Sequence, residues 1–257
     1  ARYDLNACEM YAHAAQTAAE AVLDFEMICS SLSLLGQVES ARGHVDVENN
    51  LVMHALTICR QSGNRWREGR TLADLGWLQA QRGEFAQAIE SAQRALHLLT
   101  ETEDRAGVAF AWNTLGRAYG GHGDYVLAFD ALRNSHEVAV AIDHRFFLAQ
   151  TPNLMGWLYQ QLGDYTRAKK YDEEGLELAR RWNKLPAEIS ADTNLGLDLL
   201  HLGQPAHALA HLQRIQERIE RTAFGFHAWR WQLRLLHAQG LCQITLNKKK
   251  KALALAG

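Results

Sequence analysis

Proline, β-branched residues and long apolar runs are scarce in this sequence. Only three prolines occur in 257 residues, whereas Ala, Leu, Glu, Gln and Arg, which favour helix, are abundant. No segment has the pattern of a strand, and no apolar run reaches the roughly 20 residues that a membrane-spanning helix needs. The composition therefore predicts an all-α fold and gives no sign of a membrane partner.

A stripe of positive charge is also missing. Lys and Arg number 27 against 29 Asp and Glu, which gives a net charge of −2, and the basic residues are spread over the whole chain. The one charge run, Lys248 to Lys251, lies near the C-terminal end, where we interpret it as the solvated start of a truncated helix. Direct binding of nucleic acid is therefore not expected.

Cysteine pairs of the C-x-x-C type are absent. The four cysteines, Cys8, Cys29, Cys59 and Cys242, stand far apart, so their spacing predicts neither a zinc knuckle nor a redox pair. Their positions on apolar helix faces fit a reducing compartment. Residues 1–22 have an amphipathic helical pattern in place of the basic start and apolar core of a secretory signal. We therefore expect a cytoplasmic protein.

The stretch "WNTLGRAYGGHGDY", residues 112–125, carries glycines that could cradle a phosphate. A phosphate loop needs a preceding strand and a lysine followed by Ser or Thr. Here Gly120, Gly121 and Gly123 have no lysine nearby, and the apolar residues before them recur at helical spacing. We therefore interpret the stretch as the hinge of a helical repeat, and no nucleotide cofactor is expected.

Catalytic and metal-binding patterns are weak. His207 and His211 have the i, i+4 spacing of a metal site, with His201 just upstream, but no carboxylate or fourth ligand is obvious. Asp192 and Asp198, in "DTNLGLD", belong to no nucleophile–base arrangement that spacing reveals. We expect solvated or partly packed histidines, no metal, no cofactor and no enzyme.

A period of forty residues dominates the sequence. Leu-Gly or Met-Gly pairs, single glycines and single alanines each recur at this step, in phase with one another. The three series are Leu35-Gly36, Leu75-Gly76, Leu115-Gly116, Met155-Gly156 and Leu195-Gly196; Gly43, Gly83, Gly123, Gly163 and Gly203; and Ala88, Ala128, Ala168 and Ala208. A fixed period of this length indicates a stack of helix pairs.

Each position in the period has a physical role in an antiparallel helix pair. The first glycine, as in Gly116, is expected where the neighbouring helix comes too close for a Cβ. The second, as in Gly123, supplies the positive φ that ends the first helix. The acidic residues that follow, Glu84, Asp124 and Asp164, begin the second helix with a charge that suits its N-terminus. The alanines are expected where the two helices cross.

These residues carry a resemblance to the tetratricopeptide repeat family. "WNTLGRAY" matches the signature Trp-x-x-Leu-Gly-x-x-Tyr in full, and "PNLMGWLY", "LADLGWLQ" and "DTNLGLDL" match it in part. The period exceeds the usual length of about 34 residues, and the closing proline is missing. We assign the extra residues to the second helix and its following loop. This variant resembles the helical-repeat regions of bacterial signal-transduction NTPases of the STAND class and related transcriptional activators. The resemblance implies an α-solenoid wound as a right-handed superhelix.

The period divides the chain 1–257 into one array, in which we expect eleven helices. The array comprises a half unit at residues 1–25 and five whole units at 26–65, 66–104, 105–144, 145–184 and 185–223. The first helix of a further unit follows at 224–246, with a truncated end. Gly240 falls four residues later than the period predicts, so the turn in "RTAFGFHAW" should be longer than the others. The incomplete first unit and the absence of a starting Met indicate a piece of a larger protein.

The resemblance also implies a binding groove. In tetratricopeptide arrays the first helices line the concave face, and side chains at fixed offsets from the Leu-Gly pair point into it. Amides bond to both the donors and the acceptors of a peptide, and Trp and Arg often dominate protein interfaces. The offsets give Asp74, Trp77, Gln81, Asn113, Thr114, Arg117, Asn153, Trp157, Gln160, Gln161, Thr193 and Asn194.

Trp77, Arg117 and Trp157 occupy corresponding positions in three successive units. They are expected to form a ladder along the groove, suited to about six or seven extended residues; alternatively, the tryptophans only pack between adjacent helices. The leading hypothesis is an interaction module, the sensor or scaffold part of a multidomain bacterial regulator, that binds a peptide, a protein or other domains of its own parent chain. A structural spacer or oligomerisation arm and a small-molecule sensor are the alternatives.

Overall fold

The computed structural model describes residues 4–222 and 228–256, with the side chains of residues 4–220 and 232–248. Within these ranges the chain is helical, with short turns and no strand. The helices are α1 (Leu5–Ala21), α2 (Phe25–Arg42), α3 (Val45–Gln61), α4 (Arg65–Gln81), α5 (Phe85–Glu101), α6 (Arg105–His122), α7 (Tyr125–Ala141), α8 (Arg145–Gln161), α9 (Tyr165–Arg181), α10 (Leu185–His201), α11 (Pro205–Thr222) and α12 (Ala228–Ala256).

The described ranges contain twelve helices, one more than the eleven expected. The N-terminal half unit forms a complete helix of 17 residues, so α1 and α12 add two helices to the five pairs between them. Each repeat has a first and a second helix. The first helices are α2, α4, α6, α8, α10 and α12, and the second helices are α1, α3, α5, α7, α9 and α11.

The C-terminal helix is longer than expected. It runs unbroken for 29 residues, past the expected end at residue 246, and it includes Lys248 to Lys251 rather than stopping before them. Lys, Ala and Leu in this segment all favour helix, which explains the extension. The turn in "RTAFGFHAW", expected to be long, falls mostly on residues 223–227, which lie outside the described ranges.

The forty-residue period consists of two nearly equal halves. Helices α4 and α5 both have 17 residues, and turns of two or three residues separate the helices from α1 to α11. The extra residues are therefore shared between both helices, which corrects the assignment to the second helix and its loop. A residue with positive φ accordingly returns every twenty positions, at Leu23, Gly43, Gly63, Gly83, Glu103, Gly123, Asp143, Gly163, Asn183 and Gly203.

The acidic residues expected to cap the second helices do so only in part. The three acidic residues that follow the second glycines occupy N-cap positions, but of these only Asp164 accepts a bond from a backbone N–H, that of Arg167 at 2.9 Å. Side-chain caps are found instead at the starts of three first helices, where the acceptors are Asp24, Asn64 and Asp104. Where Glu84 and Asp124 accept no such bond, backbone bonds hold the turn: the N–H groups of Glu84 and Asp124 donate to the carbonyl oxygens of Gln79 and Tyr119, both at 2.9 Å.

The close approach of the two helices, expected at the glycine of each Leu-Gly or Met-Gly pair, is confirmed at most of these glycines. A Cβ on Gly76 would lie 3.2 Å from the carbonyl oxygen of Ala88, and one on Gly116 would overlap the side chain of Leu132. Gly36 is the exception, because its nearest neighbour lies 3.9 Å away. The alanine series is fully buried, as expected, at Ala88, Ala128, Ala168 and Ala208.

Contacts between helices group the chain into two compact units, one up to Phe147 and one from Leu148 onward. In the first unit α1 to α7 pack in chain order, and in the second α9 to α12 do so. Within a unit, first helices also contact each other, α4 with α6 and α10 with α12, whereas α5 makes no comparable contact with α7 among the described residues. We call the side of each unit formed by first helices its inner face.

No helix in the described part of the chain is both long and apolar enough to cross a membrane.

The register of the crossing predicts a difference between buried and exposed positions on second helices. Replacing Ala128 or Ala168, both fully buried, by Phe should force the pair apart and lower the free energy of unfolding by about 1–3 kcal/mol or more. The exposed Gln87 should accept the same change almost silently. Urea unfolding of the three variants measures this, and equal midpoints for all of them would contradict the register.

The turns at every twentieth residue favour glycine at two equivalent positions, so a substitution to glycine and one from glycine should have opposite effects on stability. Glu103 has φ 57°, a conformation that costs a non-glycine residue about 1–2 kcal/mol. Glycine removes this strain but has greater entropy in the unfolded chain, which offsets part of the gain. Glu103→Gly should therefore stabilise the protein by about 0.5–1 kcal/mol. Gly83 has φ 79° and open space around a built Cβ, so Gly83→Ala should destabilise through backbone strain alone. Thermal melts of both variants test the signs, and a loss of stability in Glu103→Gly would refute the strain.

Candidate functional site

Four side chains form one stripe along the inner face of α4. Arg70, Asp74, Trp77 and Gln81 are spaced i, i+4, i+7 and i+11, which places them on one side of a helix. Asp74 and Gln81 are exposed, whereas Trp77 is partly buried and packs against the apolar core of the first unit. Sequence reasoning found three of the four. It missed Arg70 because the family offsets begin one turn later.

Arg70 is held by a carboxylate of the next first helix. Asp104, at the start of α6, accepts bonds from Arg70 Nη2 and Trp66 Nε1, both at 2.9 Å, and from the backbone N–H of Gly107 at 2.9 Å. Burial alone would raise the pKa of Asp104, but the bond from Gly107 and the ion pair with Arg70 outweigh it and lower the pKa. This arrangement fixes α4 against α6 at one end of the inner face.

Asp74 has an unusual protonation equilibrium for an exposed carboxyl group. Protein atoms around the inner face displace water from it and raise its pKa to about 6, against the opposing effects of Arg70 and Arg67 and with a further contribution from Glu48. A carboxyl group that titrates near pH 6 can accept a hydrogen bond when ionised or donate one when protonated.

On α6 the predicted residues divide by burial. Asn113 and Thr114 are buried, with 6% and 1% of their surface exposed, whereas Arg117 is partly exposed. Phe110, the counterpart of Arg70 at the forty-residue step, stacks on Phe147 with ring centroids 6.0 Å apart. Phe110 was missed for the same reason as Arg70. In the first unit, the predicted residues that reach solvent are thus Asp74, Trp77, Gln81 and Arg117.

In the second unit, two predicted asparagines connect neighbouring helices instead of facing solvent. Asn153 on α8 is fully buried and donates to the carbonyl oxygen of Ala187 at 2.9 Å. Asn194 on α10 is 2% exposed and donates to the carbonyl oxygen of Asn153 at 3.2 Å and to Asp172 Oδ1 at 3.0 Å. Burial changes the expected role of Asn113, Asn153 and Asn194, because a partner cannot contact side chains that neighbouring helices cover.

The remaining predicted residues of the second unit differ in accessibility. Gln160 donates to the carbonyl oxygen of Asn194 at 3.0 Å and to Asp198 Oδ1 at 2.8 Å, so it also bridges α8 and α10. Thr193 is buried and bonds the carbonyl oxygen of its own helix at Ile189. Trp157 is partly exposed and Gln161 is exposed. These last two are the candidates for direct contact in this unit.

Two fully buried carboxyl groups, Asp172 on α9 and Asp198 on α10, lie beside this amide network. Burial, followed by the nearby charge of Asp198, raises the pKa of Asp172 well above its usual range. Burial also raises the pKa of Asp198 to about 6, although the bonds that its carboxylate accepts from Gln160 and from Asp172 oppose the shift. We infer that Asp172 keeps a proton at neutral pH and shares it with Asp198, since two adjacent buried charges are unfavourable.

The three histidines considered as metal ligands are not brought together. His211 Nε2 lies 3.2 Å from Asp192 Oδ1, His207 Nδ1 lies 3.3 Å from Gln204 Oε1, and His201 stacks on Tyr165. Over the described residues, no group of three or more His, Cys, Asp or Glu side chains could hold a metal ion. The glycines considered for a phosphate loop, Gly120 and Gly121, lie within α6, where helical backbone bonds occupy their N–H groups.

Known proteins resemble this chain in its fold and, over one segment, in its sequence. Residues 107–181, from the first turn of α6 to the end of α9, match the tetratricopeptide repeat family. The structure is a tetratricopeptide-like helical solenoid, and the resemblance seen in the sequence is confirmed for this segment. No curated protein sequence matches the chain significantly.

Several solved structures share the fold at low sequence identity. A Rap protein complexed with Competence and Sporulation Factor is 13% identical with a TM-score of 0.71, over 87% of this chain and 65% of that one. BtubC from P. vanneervenii is 20% identical with a TM-score of 0.63, over 87% and 94% of the two chains. A STAND protein with a tetratricopeptide repeat sensor from Pyrococcus horikoshii is 14% identical with a TM-score of 0.55, over 90% and 37%. At these identities the similarity establishes the fold alone.

The buried acid pair predicts a specific pH dependence of stability. In the folded state the pKa of Asp198 is about 6, against about 3.9 in an unfolded chain, so the stabilising proton is fully bound below pH 4 and is lost as pH rises through 6. Between about pH 4.5 and 7 this group should therefore remove roughly 1–2 kcal/mol from the free energy of unfolding. Asp198→Asn should flatten that decline.

Urea unfolding at a series of pH values compares the wild-type protein with Asp198→Asn. The control is Asp46→Asn, since the side chain of Asp46 is 90% exposed, and this variant should follow the wild-type curve. Parallel curves for the wild type and Asp198→Asn would show that the pair is ionised at both ends of the range and would contradict the shared proton.

Proposed function

We propose that this chain is a protein–protein interaction module, the sensor or scaffold part of a larger regulator, and that it binds a peptide or protein segment along its inner face. The observation that carries the proposal is the stripe on α4, where Asp74 and Gln81 are exposed beside the partly exposed Trp77. Polar groups that flank an aromatic side chain are typical of a recognition surface, because the aromatic group supplies buried area and the polar groups fix orientation.

Arg117 supports an extended ligand on the first unit. It corresponds to Trp77 at the forty-residue step, and α4 and α6 are in contact, so the two side chains stand on neighbouring helices whose axes are about 10 Å apart. A ligand carboxylate paired with Arg117 and an apolar side chain against Trp77 would then be about three extended residues apart. An acidic or C-terminal carboxylate next to apolar residues is the motif that this surface favours.

The second unit offers a smaller set of contacts. Trp157 and Gln161 are its accessible candidates, and we propose that they contact a ligand in the same manner. The amides of Asn153, Gln160 and Asn194 have a supporting role, since their bonds fix α8 and α10 side by side. On the first unit Asn113 is buried, so we do not propose that it contacts a ligand.

The structural neighbours favour this class of function by analogy of fold. One is a Rap protein complexed with Competence and Sporulation Factor, and another is a STAND protein that carries a tetratricopeptide repeat sensor. By the same analogy we propose that the chain has no catalytic role of its own and that its partner is a protein rather than nucleic acid or membrane. A bacterial, cytoplasmic setting completes the proposal.

A peptide selection tests the inner face directly. Random seven-residue peptides with free C-termini are selected against the immobilised chain, and the dissociation constants of the best binders are measured by fluorescence anisotropy. We expect a carboxylate next to apolar residues in the selected peptides. Arg117→Ala and Trp77→Ala, both on the first unit, should each weaken binding by about 2 kcal/mol or more, which is roughly thirtyfold.

The matched control is Arg133→Ala, because Arg133 lies exposed on the second helix α7 and its loss should leave binding unchanged. Urea midpoints of the same variants separate binding from packing. A purely packing role predicts that Trp77→Ala, which removes a side chain packed against the core of the first unit, costs about 3 kcal/mol of stability and that binding falls only as the protein unfolds. Unchanged affinity in Arg117→Ala would rule out the groove. Selection of no peptide, together with self-association sensitive to Arg117→Ala, would support the oligomerisation arm instead.

A further inference from the structure

Two of the four cysteines meet in the core of the first unit. Cys29 on α2 and Cys59 on α3 are each 1% exposed, and their Sγ atoms lie 3.2 Å apart. Thirty residues separate them in sequence, but both are fifteen positions from His44, which lies in the turn between α2 and α3. Antiparallel helices bring residues at equal distances from their turn to the same level. The spacing rule for cysteines overlooked the pair because that rule considers only neighbours along the chain.

The surroundings of the two sulfur atoms differ. Cys29 Sγ lies 3.5 Å from the carbonyl oxygen of Ala55, and Cys59 Sγ lies 3.8 Å from Thr71 Oγ1. Either sulfur can donate in this contact. With Cys29 as the donor, the pKa of Cys59 falls to about 7, helped by Thr71 and the charge of Arg67 and opposed by burial. The same contact, together with burial, raises the pKa of Cys29. Cys59 is therefore the sulfur that more readily becomes a thiolate, which is the reactive form.

We propose that Cys29 and Cys59 are a dithiol–disulfide site, which a small peroxide oxidises to close the α2–α3 pair covalently. The Cys59 thiolate attacks one oxygen of hydrogen peroxide, the O–O bond breaks, and the products are a sulfenic acid on Cys59 and hydroxide. The sulfur of Cys29 then displaces the hydroxyl group as its own proton leaves, which forms the S–S bond and releases water. The two sulfurs together lose two electrons, and the peroxide accepts them.

Little movement is needed to form the bond. The sulfur atoms must approach from 3.2 Å to about 2.05 Å, a change that small rotations about the two Cα–Cβ bonds supply without separating the helices. Because both thiols are buried, the oxidant reaches them only through brief local openings of the helix pair. We therefore expect slow oxidation by small peroxides and resistance to bulky thiol reagents in the folded protein.

The disulfide would change the stability of one defined element. It closes a loop of about thirty residues that contains the turn at Gly43 and His44, which restricts the unfolded chain and so stabilises the folded pair. The bond ties α2 to α3 and leaves the stripe on α4 untouched. Oxidation should accordingly strengthen the N-terminal end of the first unit against unfolding.

The test treats the folded full chain with hydrogen peroxide, blocks remaining thiols with iodoacetamide under denaturing, non-reducing conditions, and maps the peptides by mass spectrometry. We expect one linked peptide pair, Cys29 with Cys59, which lacks the two thiol hydrogens and carries no alkyl label. The thermal midpoint of the treated protein should rise by roughly 5 °C or more and return on reduction.

Single variants provide the controls. Cys29→Ser and Cys59→Ser should each abolish both the link and the rise in midpoint, whereas Cys242→Ser, which removes a solitary buried cysteine, should retain both. If a serine variant fails to fold, the peptide map of the wild-type protein decides alone. Recovery of Cys29 and Cys59 as alkylated or sulfinic residues, or links that involve Cys8 or join two chains, would overturn the proposal.

Discussion

The fold depends on helix crossings that leave no room for a side chain. At Gly76 and Gly116 the backbone of the first helix lies against its second helix so closely that a Cβ would meet neighbouring atoms. The buried alanines of the second helices complete the contact. Because dispersion and apolar burial both increase as surfaces approach, a pair that packs this closely needs few large side chains for its stability. The same approach fixes the rotation of each first helix and so determines which residues reach the inner face.

Within each compact unit, neighbouring helix pairs are joined by polar bonds as well as by apolar packing. In the first unit Asp104 accepts bonds from Trp66 and Arg70 on the preceding first helix, and in the second unit Asn153 and Asn194 bond across α8 and α10. Buried polar groups of this kind are costly unless they are satisfied, so they specify one arrangement of neighbours over others. The inner face is therefore built on helices whose relative positions are closely restrained, which suits a binding surface.

The repeat, the turns inside each helix pair and the crossings could be predicted from the sequence, because each leaves a mark at a fixed step: a glycine with positive φ at Gly123, or a buried alanine at Ala128. The turns between pairs, such as the one at Glu103, lack that glycine and could not be predicted in the same way. The inner face could be predicted only in part. Offsets along a helix give the direction of a side chain but not the depth of its neighbours, so Asn153 was expected in the groove and is buried. The contact between Cys29 and Cys59 depends on how two helices pair, which spacing along one chain does not reveal.

The turns of the structure are of two kinds that differ in backbone cost. Those inside a helix pair place glycine at the left-handed position, from Gly43 to Gly203, whereas those that join one pair to the next carry Leu23, Glu103, Asp143 and Asn183, with Gly63 as the exception. A side chain at such a position costs about 1–2 kcal/mol, and Asn or Asp less. The backbone is therefore unstrained in the turns within pairs and strained in the turns between them, most of all at Leu23 and Glu103. Under a pulling force or partial digestion, the array should therefore come apart in steps of two helices, and the helix pair is the piece that recombination could insert or remove at the least energetic cost.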